Sequence, residues 1–216
     1  MKNLVLSPFN VIPPNFGGAE RIYNLMTRIG EATVIALNWE GVDQEGRHGD
    51  INYRLISAEP KAVEQAQKLS NLGIRTYDGM PALTKNNLKK LWRAIEEENP
   101  DQIILEHPWL IPFVGDIPFL LDCHNAEHYL TYSRWPQSYD EQIVENLERE
   151  ALTKAKKITV CSEVDALLMK KHYGIEKDMV YIPNGTDIPS KVSEGKTKNL
   201  IFIGSMYGRT LGQRKN

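Results

Sequence analysis

The feature that most constrains this chain is a repeated alternation. Short apolar runs with no polar/apolar stagger are each followed by a segment with helical spacing. The runs at 3–7, 32–38, 101–106, 118–123 and 157–161 read as strands buried on both faces, and 51–57 as a further strand. In 18–29, Ile22, Leu25, Met26 and Ile29 share one helical face. Residues 83–98 form an amphipathic helix that stops at Asn99-Pro100, because the residue before proline disfavours helix. In 138–155, Ile143, Val144, Leu147, Ala151 and Leu152 face inward, and a helix over 163–173 ends at Gly174 as its C-cap. Strands joined by helices become parallel neighbours. The fold class is therefore α/β: an open, doubly wound, mostly parallel, Rossmann-like sheet. Ligands of such sheets bind beyond the carboxyl ends of the strands, so the residues that follow each strand carry the functional information.

The chain has 216 residues, enough for one domain of ordinary size and a remainder. Residues 1–187 read as that domain, ending in a short strand and turn over 180–187. Residues 188–198 are polar and linker-like. Residues 199–205 begin a new apolar strand that leads through Met206-Tyr207-Gly208 into a polar, basic tail, so 199–216 reads as the first strand of a truncated second domain. A formal net charge of -2 with 25% charged residues gives no signal of a nucleic-acid binder. No apolar run approaches the roughly 18 residues of a membrane span. Asn10 and Pro13-Pro14 break the first apolar run, which does not read as a signal peptide. Two cysteines, Cys123 and Cys161, are too few for a disulfide scaffold and read as reduced thiols of a cytoplasmic protein.

Gly17-Gly18 stands between the first strand and the first helix, where glycine lets the backbone approach a ligand and a helix N-terminus favours an anion. A tight turn explains the same pair. The stretch 122–128 follows a buried strand and places His124, Asn125 and Glu127 at the crevice edge, although capping of the next helix also accounts for the last two. The same stretch matches the zinc-hydrolase pattern H-x-x-E-H through His124, Glu127 and His128, but the first histidine falls at the strand end and no third ligand stands at a characteristic spacing. The expectation is therefore no bound metal. Cys161-Ser162-Glu163 ends another buried strand, with Ser162 a natural N-cap. Residues 183–187 alone read as a turn. Lys85, Lys89, Lys90 and Arg93 interleave with Leu88, Leu91 and Trp92, which reads as a solvated face over a core stripe and leaves peripheral contact with the inner face of a membrane as the other reading.

Taken in order and spacing, these pieces resemble the retaining glycosyltransferases of family four, with the GT-B architecture. The matching stretches are Phe16-Gly17-Gly18-Ala19-Glu20-Arg21, Asp122-Cys123-His124-Asn125, residues 151–163, Tyr173-Gly174-Ile175, residues 180–187 and residues 200–206. The resemblance implies the N-terminal, acceptor-side half of two Rossmann-like domains facing across a cleft. It implies transfer of a glycosyl group, of the hexosyltransferase type, from a nucleotide-diphosphate sugar to the hydroxyl of a sugar or glycolipid acceptor with retained configuration. It needs no cofactor beyond that donor substrate.

By the same resemblance His124 lies near the transferred sugar, and Gly17 and Gly18 approach the donor phosphates and the acceptor. Asn125, Ser162 and Glu163 line the cleft, Asn184-Gly185 sits at the interdomain hinge, and Gly204 belongs to the first glycine turn of the donor domain. The donor domain's paired-glutamate motif has no counterpart in this sequence, so the chain by itself is expected to be inactive. A non-catalytic binding module, or the remnant of a truncated gene, shares the same fold. The zinc hydrolase and a sugar-nucleotide epimerase are further readings.

Overall fold

A computed structural model describes residues 1–38, 42–71, 84–134 and 139–185. Met1–Gly185 is one compact unit. The expected linker over 188–198, the strand over 199–205 and Gly204 lie outside the described residues.

The strands are β1 (Asn3–Ser7), β2 (Ala32–Asn38), β3 (Gln44–His48), β4 (Ile51–Ser57), β5 (Gln102–Glu106), β6 (Phe119–Cys123), β7 (Lys157–Val160) and β8 (Met179–Tyr181). The helices are α1 (Gly17–Met26), α2 (Pro60–Asn71), α3 (Lys85–Glu98), α4 (Ile111–Val114), α5 (Glu127–Arg134), α6 (Tyr139–Lys154) and α7 (Glu163–Tyr173). They build one sheet in the order β3-β4-β2-β1-β5-β6-β7-β8. Every pairing is parallel except the β3–β4 hairpin. The chain winds outward from β1 through β2 to β4, then returns to the other side of β1 with β5. The sheet thus reverses its winding between β1 and β5, where the connecting segments diverge and leave a crevice.

Consecutive apolar residues along the strands feed two cores. Leu4, Leu6, Ile35 and Leu37 pack with Leu91 and Ile95 of α3 and with Ala151 and Leu152 of α6. The alternate residues Val5, Val34 and Ala36 pack with Ala19, Ile22 and Met26 of α1. That division is why the strand sequences lack a polar stagger. A side chain such as Ile22, fully buried, contributes about 1.5–3 kcal/mol.

Several expectations shift at their edges. The first helix ends at Met26 with Thr27 as its C-cap, so Ile29 is exposed rather than on the core face. The helix at 85–98 ends at Asn99, whose left-handed φ of 41° closes it before Pro100. β3, α2 and the turn-and-helix segment after β5 were not foreseen, whereas α5 is the helix expected after the 122–128 stretch. Two of the basic residues of α3 are bound to acidic partners, Lys90 to Asp43 and Arg93 to Glu97, while Leu91 faces the core. This favours the solvated-face reading of that helix. Among the described residues no helix is long and apolar enough to cross a membrane.

Candidate functional site

The carboxyl ends of β1, β5, β6 and β7 bring together the residues that follow them. Asp122, in β6, is the electrostatic centre. Arg21 of α1 grips it with two bonds, Nε to Oδ2 at 2.9 Å and Nη2 to Oδ1 at 2.8 Å. Both side chains are about 3% exposed. Burial by itself raises an aspartate, but the guanidinium outweighs it and holds Asp122 below the ordinary carboxylate range, with help from His124 and the Thr159 hydroxyl. Arg21 Nη1 also donates to the carbonyl of Ile182 at 2.9 Å and to Asn184 Oδ1 at 3.0 Å, which ties the turn after β8 to this rim.

His124 stands one residue past β6. Its Nε2 lies 2.8 Å from Glu106 Oε2, at the end of β5, and 3.7 Å from Asp122 Oδ2. Burial, then the neighbouring charge of Asp122, pushes the Glu106 carboxyl well above its usual range. Burial lowers His124, against the pull of Asp122. Both shifts favour neutral groups. The other edge of the ring meets the first helix: a Cβ placed on Gly18 would stand 3.5 Å from His124 Nδ1 and 3.0 Å from the Phe9 ring. A side chain at Gly18 would require the Phe9 and Phe16 rings to give by a few tenths of an ångström, whereas Gly17 has open space around it. Phe16, the N-cap of α1, supplies no side-chain cap, so the first amides of that helix are not satisfied by its own cap residue.

His107 forms the adjoining wall. Its ring is 4.3 Å from that of His124, stacks on Trp109 at 4.8 Å and meets Phe9 edge-on at 5.5 Å. Its Nδ1 lies 3.2 Å from Glu127 Oε1. Burial alone would raise Glu127, but His107 and Asn125 outweigh it and keep the carboxylate below its usual range. His107 has a φ of 72°, a left-handed backbone uncommon for a residue with a side chain.

The residues singled out from sequence fall into three groups. Gly17, Gly18, His124 and Ser162 follow the parallel strands β1, β6 and β7 and share one rim, and the Cys161 thiol donates to the His124 carbonyl. Asn125 donates to Glu127, Ser162 caps α7 by accepting from the Asp165 amide, and Asn184 meets Arg21. Glu163 and Gly185 are exposed. The proposed zinc set does not converge: His124 turns to Glu106, Glu127 to His107, and His128 to Glu141. Sequence reading missed Glu106 and His107, although an acid and a histidine at the end of an apolar strand repeat the pattern of Asp122 and His124. It also gave Arg21 no role. Both cysteines are free thiols.

A doubly wound, mostly parallel sheet with a buried polar cluster beside its switch point is a Rossmann-like domain. Residues 17–189 match the family described as Glycosyltransferase Family 4, and the chain belongs to that family. Solved structures similar to it include the α,α-trehalose-phosphate synthase (UDP-forming) from Burkholderia xenovorans in complex with glucose-6-phosphate, at 14% identity and a TM-score of 0.46, over 80% of this chain and 43% of that one. The Arabidopsis thaliana UGT89C1 complexed with UDP-L-rhamnose matches at 14% identity and a TM-score of 0.47, over 88% and 53%. The UDP-N-acetylglucosamine 2-epimerase from Rickettsia bellii matches at 11% identity and a TM-score of 0.42, over 80% and 42%. The chain thus spans between two fifths and about half the length of these proteins. No curated protein matches at comparable stringency.

Proposed function

We propose that the rim at β1, β5 and β6 is the acceptor-side wall of a retaining glycosyltransferase site. The donor is a nucleotide-diphosphate sugar, the acceptor a hydroxyl of a sugar or glycolipid, and a facing donor-binding domain completes the cleft. The observation that carries this reading is the fixing of His124: Glu106 holds one ring edge at 2.8 Å, and the other edge is turned to the side-chain-free Gly18. A neutral imidazole set in this way offers a polar contact to a sugar without the desolvation cost of a charge. The N-terminus of α1 beside it favours an anion such as a phosphate. This domain's part in the reaction is then to orient the acceptor, with the partial positive charge of the helix N-terminus toward the departing diphosphate, whose cations the facing domain supplies.

The test uses the enzyme completed with a donor-binding domain. His124→Gln, which leaves a polar partner for Glu106, should lower turnover about 10²–10³-fold. Circular dichroism should show the fold retained. Unchanged turnover would remove His124 from the mechanism.

A further inference from the structure

Behind the rim, three helices bring a second group of side chains together. His128 lies on α5, Glu141, Glu145 and Glu148 lie on α6, and His172 lies on α7. Glu148 fixes the frame. It accepts from the amides of Glu127 and His128 at 2.7 and 3.1 Å, and from the Tyr173 hydroxyl at 2.7 Å. On that frame the rings of His128 and His172 lie 4.3 Å apart and 20° from parallel. Each faces a carboxylate, His128 Nε2 at 3.1 Å from Glu141 and His172 Nε2 at 3.1 Å from Glu145. His128, Glu145 and His172 each bring one ligand atom within 4.8 Å of the others.

We infer that His128, Glu145 and His172 form a binding site for a divalent transition cation of the zinc class. Two imidazoles and a carboxylate are the donor set that such a cation prefers over calcium or magnesium. The second observation is His128 Nδ1, a nitrogen with no hydrogen-bond partner in a residue only 7% exposed. A buried basic nitrogen of this kind is costly until something occupies it. Glu141 stands where a carboxylate orients a ligating histidine, or adds a fourth donor. Stacked rings cannot both aim at one ion, so His172, 26% exposed in its side chain, turns on binding, and Arg149 releases Glu145. The ion would then staple α5, α6 and α7 across 44 residues of sequence, the separation of His128 and His172. This set differs from the one suggested by the sequence pattern, keeping His128 alone, and it does not depend on the transferase reading.

The experiment is calorimetric titration of the tag-free 216-residue protein with zinc chloride at neutral pH, with melting temperature as a second readout. One class of site is expected, with a dissociation constant on the order of micromolar or tighter, and zinc should raise the melting temperature. His172→Ala alters a partly exposed side chain and should weaken binding at least about tenfold, as should Glu145→Gln. His48→Ala, outside the cluster, should bind as the parent does. Failure of the parent protein to bind zinc, or unchanged affinity in His172→Ala, would overturn the site.

Discussion

Glu106 is 2% exposed, with His124, Asp122, His107 and Arg21 around it. Its raised carboxyl keeps a proton in the folded protein that the unfolded chain releases near pH about 4.3. Its share of stability is therefore complete below that pH and is lost as pH rises toward the folded-state value. Asp122 has the opposite sign. Its lowered value gives stability that is present above about pH 3.9 and is lost as pH falls through the folded-state value. His124, lowered by burial, likewise loses stability as pH falls below about 6.5. Glu106→Gln removes the first contribution and preserves the shape of the side chain. Urea unfolding from about pH 5 to about pH 8 should show the variant gaining on the parent as pH rises. A difference that does not change with pH would mean that Glu106 titrates in the fold as it does in the unfolded chain.

Arg21 acts between elements, joining α1 to β6 and to the turn after β8. Without the guanidinium, Asp122 would be a buried charge with no counter-ion, a loss of about 3–5 kcal/mol. Arg21→Ala should show a deficit of that size in urea unfolding, and adding Asp122→Asn should recover part of it. A deficit below about 1 kcal/mol would mean that water reaches Asp122 as easily as it reaches a surface group. This keystone was not readable beforehand, because nothing local to Arg21 names a partner 101 residues away. The parallel strands were readable, since their apolar runs record burial on both faces. β3 was not: Gln44–His48 is polar and mostly exposed, and only the hairpin at Gly49 makes it a strand. α5 was legible as the helix that follows the polar cluster, with Glu127 and His128 opening its first turn. The strand-end positions of Gly18, His124 and Ser162 followed from the same apolar runs that gave the sheet. The partnerships among Glu106, His107 and Glu127 depend on strand order, which sequence spacing does not encode.

At the scale of the molecule, Met1–Gly185 carries the sheet, both cores and the rim. A chain ending at Gly185 retains the Arg21 contacts to Ile182 and Asn184, and it should fold and unfold cooperatively in thermal denaturation followed by circular dichroism. The same partition bears on activity. A nucleotide-diphosphate sugar needs cations for the diphosphate and a pocket for the base and ribose. Arg21, the cation at the centre of this rim, is 6% exposed, and its donors are directed at Asp122, Ile182 and Asn184. It is not free to receive a phosphate. Among the described residues, the groups that remain around His124 are imidazoles, carboxyls and the Phe9 and Phe16 rings, a set suited to sugar hydroxyls and ring faces rather than to a diphosphate. Release of nucleoside diphosphate from a panel of nucleotide sugars by residues 1–185 alone should therefore stay at background. Calorimetry should detect no binding of the diphosphate itself. Supplying a donor-binding domain should restore both. Robust transfer by residues 1–185 alone would place the donor site on the surface described here and would require Arg21 to leave Asp122 during turnover.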